Sequence, residues 1–200
     1  MTDQCVIGID LGTSAVKLSA MTRNGELLAQ SSRSYPVLQK ENGFVEQDPN
    51  DWFEATYEAL KEILTNNIVK NNLVGISFSG QMHSLVLLDN DNKIIRPAIL
   101  WNDTRTTEEV EYINKKFKHE LINITGNKAT EGFTLTKLLW VKKHEPENFA
   151  KIKKFMMPKD YVRFVLTGKI NTDYSDATGT VLLDLKNKKT TLGGFFRRWA

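Results

Sequence analysis

Residues 5–11, CVIGIDL, alternate with a period of two, the pattern of a β-strand with one buried face. Ile7, Ile9 and Leu11 fall on one side, whereas Val6, Gly8 and Asp10 share the other. The second side is nearly bare around a single carboxylate. An ionised aspartate buried without a partner costs several kcal/mol, so Asp10 has to be paired, hydrogen-bonded or set against a cation. The strand then breaks at once into Gly12, Thr13 and Ser14, residues of a tight turn.

The chain that follows is predicted to build an α/β unit around this strand. Residues 15–21 read as a second strand, Arg23-Asn24-Gly25 as a hairpin turn and residues 26–37 as a third strand, so three strands open the fold as a meander. Asp48 and Pro49 mark a helix start, with Asp48 as N-cap and Asp51 in the first turn. Trp52, Thr56, Ala59, Leu60, Ile63 and Leu64 recur at helical spacing and form its apolar stripe. Residues 73–79 are predicted to be a short buried strand ending at Gly80, followed by a strand over 84–88 and a turn over 89–92. Residues 94–101 continue extended around Pro97. Helices are expected over 106–117, 135–144 and 158–166, and a loop over 171–180. This order suits a ribonuclease-H-like or actin-like domain with a mixed sheet.

Composition narrows the function classes. Lys+Arg 27 against Asp+Glu 24 leaves a net charge of +3, too weak a bias to indicate nucleic acid or a membrane surface. With 40% hydrophobic and 26% charged residues, the chain is globular rather than disordered. The lone Cys5 cannot form an internal disulfide and is expected to pack as a small apolar side chain. That fits a reducing cytoplasm. The first residues do not read as an export signal, and no stretch approaches the ~18 apolar residues of a membrane span.

Around Asp10, consecutive amides in a glycine turn form an anion-binding concavity, to which Thr13, Ser14 and Lys17 add hydroxyls and an ammonium. A carboxylate beside it can hold Mg²⁺ directly or through water. Together they describe a site for a nucleotide phosphate and its metal; a tight hairpin with a capped aspartate is the plainer alternative. The other nucleotide signatures, G-x-x-x-x-G-K-[ST] and G-x-G-x-x-G, do not occur. His83, just after a predicted strand, suits either a ligand contact or a satisfied structural histidine. His119 and His144 sit among lysines and read as solvated surface. Trp101, Asn102 and Asp103 suit an aromatic platform with polar neighbours, or equally a buried tryptophan followed by a turn.

The stretch IGIDLGTS resembles the first phosphate motif of the superfamily of sugar kinases, actin and heat-shock ATPases. GQMH (80–83), RPAILWND (96–103), ITGN (124–127), KLLWVKKHEPE (137–147), PKDYVRFVLTG (158–168) and SDATGT (175–180) are similar, in this order, to the xylulokinases of the FGGY carbohydrate kinase family. The resemblance covers about residues 5–185. It implies an actin-like ATPase fold and a reaction in which a sugar hydroxyl attacks the γ-phosphate of ATP between two domains. Asp10 then corresponds to the metal-linked catalytic aspartate, Gly12, Thr13 and Ser14 to the phosphate turn, and Lys17 to a residue near it. Met82 and His83 correspond to the sugar-contacting pair, where glycerol kinases have an arginine and a glutamate. That implies a ketopentose, D-xylulose, converted to D-xylulose 5-phosphate. A neutral imidazole can donate to and accept from sugar hydroxyls, and methionine gives a conformable apolar wall. Trp101, Asn102 and Asp103 are expected to add a wall to this site. The implied partners are a sugar, ATP and Mg²⁺, with no nucleic acid and no membrane, and a homodimer stays open. The alternatives are a kinase for another sugar or polyol of the family and a non-catalytic sugar-sensing module. An actin-like or chaperone ATPase would give no reason for GQMH and LWND.

The chain also departs from that pattern. The resemblance implies a second aspartate, the general base, in a glycine-rich motif, and no GGGD-like stretch is present. A positioned general base is typically worth about 10²- to 10⁴-fold in rate. Residues 1–185 are therefore expected to be a partial amino-terminal domain, incomplete at its carboxyl end, without the adenosine-binding domain and inactive alone. Residues 186–200, ending in TTLGGFFRRWA, break from the pattern and are expected to be disordered or the product of a truncated reading frame. Some sheet surface is expected to lie exposed.

Overall fold

The structure, a computed structural model, describes residues 4–190. In chain order the first elements are β1 (Cys5–Leu11), β2 (Ala15–Thr22), β3 (Leu27–Ser34), β4 (Leu38–Gln39), β5 (Val45–Gln47), α1 (Pro49–Ile63), α2 (Asn67–Asn72) and β6 (Leu73–Gly80). There follow β7 (Val86–Leu88), β8 (Ala98–Ile99), α3 (Thr107–Thr125), α4 (Thr134–His144), α5 (Pro146–Lys151) and β9 (Lys154–Met156). The last are α6 (Pro158–Thr167), α7 (Tyr174–Gly179), β10 (Leu183–Asp184) and β11 (Lys189–Thr190). They fall into two compact units: residues up to Val37 with Gln47–Gln81 and Pro158–Ile170 form the first, and the remainder the second.

The first unit is a mixed sheet of order β3-β2-β1-β6. β1 and β2 are antiparallel, as are β2 and β3, while β6 runs parallel to β1. The alternation read from residues 5–11 appears directly, with Cys5, Ile7, Ile9 and Leu11 buried and Val6, Gly8 and Asp10 exposed. α1 lays Trp52, Thr56, Ala59, Leu60 and Ile63 against β2 and β3, and α6 packs on α1, β6 and β1. Asp48 caps α1 as expected, its side chain accepting from the Asn50 amide at 2.9 Å. β6 corrects the expectation of a buried strand: it is an edge of the described sheet, with Val74 58% and Ile76 42% exposed. It has a single strand neighbour among the described residues, β1, so its other edge has no strand beside it and Val74 and Ile76 stay exposed.

The second unit holds short sheets, β4-β5-β8 and β7-β9, and a helical layer. Ile113, Leu121, Leu135 and Leu139 of α3 and α4 form a core with Val181 and Leu182. Leu85, Leu87 and Ile99 meet Leu138 and Val141 in a second cluster. α3 runs two turns past its expected end because its termination signal is Gly126, whose left-handed φ of 72° provides the C-terminal cap. The expected loop over 171–180 is corrected as well: α7 forms there, since Asp173 accepts from the Asp176 amide at 2.9 Å and acts as N-cap. Residues 191–200 of the expected tail lie outside the described residues, and 189–190 form β11.

Candidate functional site

In the first unit, Asp10 ends the exposed face of β1, opposite Lys17 of β2 and Ser79 of β6 in register. Residues so paired share one face, so a carboxylate, an ammonium and a hydroxyl are placed on the same side at the end of the parallel strands. The turn beyond is closed by the Gly12 amide donating to the Ala15 carbonyl at 3.0 Å. A Cβ at Gly12 would lie 3.0 Å from that same oxygen, so the turn needs glycine for close approach.

Two buried side chains hold this turn from behind. The Tyr35 hydroxyl donates to the Gly12 carbonyl at 2.5 Å, and Gln47 Nε2 donates to the Thr13 carbonyl at 2.8 Å. In a trans peptide the carbonyl and the following N–H point in opposite directions, so the Thr13 and Ser14 amides face away from Tyr35 and Gln47. Gln47 is itself fixed, its Oε1 accepting from Trp52 Nε1 at 3.0 Å and from Gln81 Nε2 at 3.1 Å. Burial, and then the charge of Asp10, push the Tyr35 hydroxyl above its ordinary range and keep it a donor. A turn with carbonyls tied back and amides turned forward has the geometry to receive an anion beside a carboxylate.

In the second unit, Met82 is 43% exposed and His83 is half-buried. His83 adopts a left-handed φ of 62°, unusual for a non-glycine residue. Its carbonyl accepts from Thr134 Oγ1 at 3.0 Å and from Lys137 Nζ at 3.2 Å. Its ring meets Phe133 edge to face, with centroids 4.8 Å apart, and lies against α7, where a Cβ at Gly179 would come within 2.4 Å of it. Burial, and then the charge of Lys137, lower the His83 pKa, with Asp176 and the Gly179 backbone opposing. The imidazole is therefore mainly neutral at neutral pH, able to donate and to accept.

Ser84 connects this turn to the tryptophan segment, its amide donating to the Met82 carbonyl at 2.7 Å and its Oγ accepting from the Trp101 amide at 3.0 Å. Trp101 and Asn102 are exposed, as a wall for a ligand requires. Asp103 is not, which corrects the expectation of a sugar-facing carboxylate. It is 1% exposed, and both oxygens are engaged: Oδ2 accepts from the Val45 amide at 2.6 Å and from Arg105 at 2.7 Å, and Oδ1 accepts from Arg105 Nε at 2.8 Å. Arg105 also pairs with Glu46 at 2.8 Å, and Glu46 pairs with Arg96. The Arg105 guanidinium stacks on Phe44 at 3.9 Å and on Trp140 at 4.7 Å. Burial opposes its charge, but Asp103 and Glu46 outweigh that and raise its pKa. His119 and His144 are exposed as expected.

The structure thus brings Asp10, Gly12, Thr13, Ser14 and Lys17 together in one unit and Met82, His83, Trp101 and Asn102 together in the other. Sequence reasoning missed Tyr35, Gln47, Thr134, Lys137 and Gly179. Of these, Gly179 and Lys137 lay inside the motifs SDATGT and KLLWVKKHEPE, whereas Tyr35, Gln47 and Thr134 carried no signal.

Residues 5–190 match the FGGY family of carbohydrate kinases, N-terminal domain. A xylulose kinase of Bacillus subtilis is 54% identical over 185 residues, covering 92% of this chain and 37% of its own length. Among solved structures, one described as a xyloylose kinase from Brucella ovis superposes with a TM-score of 0.90 at 36% identity, covering 95% of this chain and 40% of that one. A gluconate kinase from Lactobacillus acidophilus gives 0.89 at 32% identity, covering 96% and 39%. The chain therefore spans about two fifths of the length of the relatives it matches.

Proposed function

Because the chain belongs to the FGGY family of carbohydrate kinases, as its N-terminal domain with an actin-like ATPase fold, we propose that it serves a protein that phosphorylates D-xylulose with ATP. The observation that carries this reading is the 54% identity to a xylulose kinase across 92% of the chain. The reaction is ascribed to a protein of the relatives' length, of which this chain spans 37% in the Bacillus subtilis case.

In this reading the Thr13 and Ser14 amides and Lys17 receive the nucleotide phosphates. Mg²⁺ neutralises phosphate charge when bound, and Asp10 would hold it. The donor chemistry fits that ion: an exposed single carboxylate suits a Mg²⁺ that would keep water and phosphate ligands. Met82 offers an apolar wall, His83 a neutral donor and acceptor, and Trp101 an aromatic platform for the sugar. Transfer of a phosphoryl group depends mostly on positioning and charge stabilisation, so these residues orient the two substrates. Among the described residues no helix is long and apolar enough to cross a membrane, and a cytoplasmic location goes with a sugar and ATP as substrates.

The likeness to a gluconate kinase favours a sugar acid as the competing substrate. The test is a substrate panel on the protein extended to its relatives' length, with D-xylulose, gluconate and glycerol as acceptors. The reading predicts the highest kcat/KM for D-xylulose; a preference for gluconate, or sugar binding without turnover, would overturn it.

A further inference from the structure

Lys137 is 0% exposed and lies in the first turn of α4. A cation is disfavoured there twice, by loss of water and by the positive end of the helix dipole. Burial lowers its pKa to about 7, Asp103 opposing and Arg105 reinforcing the shift. What such a side chain contributes at this place is its hydrogen-bond donors. Nζ donates to the Gly132 carbonyl at 2.6 Å and to the His83 carbonyl at 3.2 Å. Thr134, one turn earlier on the same helix face, shares the His83 carbonyl. Gly132 in turn abuts the tryptophan segment, where a Cβ on it would lie 3.1 Å from the Trp101 carbonyl.

We propose that Lys137 is the positioning residue of the sugar site, binding the His83 and Gly132 carbonyls to one point and so setting the angle at which Met82, His83 and Trp101 are presented. The left-handed backbone at His83 is a conformation that a free loop would leave, and two donors on its carbonyl hold it there. An apolar residue of the same length would fill the space, leave the Gly132 carbonyl without its ammonium donor and leave the His83 carbonyl with Thr134 alone. The identity of the ligand rests on the kinase reading above, whereas the role of Lys137 rests on the geometry of the turn.

The test is NMR spectroscopy of the full 200-residue chain, isotopically labelled, as wild type and as Lys137→Met. The expected result is that His83 loses its left-handed Cα and Cβ shifts and its imidazole nitrogens move, while the amides of β1, β2 and β3 stay in place. A folded Lys137→Met chain with unchanged His83 and Gly132 shifts would overturn the proposal. Should that variant not fold, the wild type decides at mildly acidic pH: hydrogen-bond scalar couplings from Lys137 Nζ to the His83 and Gly132 carbonyl carbons support the proposal, and their absence overturns it. No sugar enters this experiment, so its failure and that of the kinase reading are told apart.

Discussion

At the turn after β1 the working groups are main-chain amides and an exposed carboxylate, whereas at the turn before β7 the working side chains stand on a base of buried charge. Behind Gly12 and Thr13 are neutral donors, Tyr35 and Gln47. Behind Met82, His83 and Trp101 are Lys137 and the group formed by Asp103, Arg105, Glu46 and Arg96. Under the proposed function the difference follows from the ligand chemistry. A polyphosphate brings its own charge and asks for amides in fixed directions. A neutral sugar asks for side chains at set angles, and a buried network in which Arg105 ties Asp103 to Glu46 favours one arrangement.

This contrast predicts unequal costs of damage. Arg105→Ala would leave Asp103 buried without its cation and Glu46 with Arg96 as its remaining close partner, and breaking such a group typically costs about 3–5 kcal/mol. Urea denaturation of the chain measures it, and a loss below ~1 kcal/mol would remove the supposed base under the sugar turn. Tyr35→Phe removes one neutral hydrogen bond from the glycine turn and should cost about 1 kcal/mol. Hydrogen exchange at the Gly12 amide, which closes the turn onto Ala15, should quicken with little effect elsewhere. If Tyr35→Phe proved as damaging as Arg105→Ala, the two turns would not differ in the way described.

The parts of the fold visible in the sequence were those written in local periodicity and capping. The alternation of residues 5–11, the Asp48-Pro49 helix start and the stripe from Trp52 to Ile63 each depend on neighbours a few residues away. β6 showed the limit of such reading, because apolar composition cannot tell a central strand from an edge. The glycine turn and the Met82-His83 pair were legible as motifs, but their supports were not. Tyr35 and Gln47 lie 23 and 34 residues from the carbonyls they hold, and Lys137 lies 54 from His83. Asp103 was misread for a different reason: its partner Arg105 is only two residues away, and the Asp-x-Arg spacing already allowed a local clamp.

The most direct measurement is steady-state kinetics of His83→Ala in the protein extended to its relatives' length. The account predicts that KM for D-xylulose rises about tenfold, the equivalent of about 1.4 kcal/mol for lost hydrogen bonds, while KM for ATP is nearly unchanged. An equal rise in both constants would contradict the assignment of the two turns to different substrates.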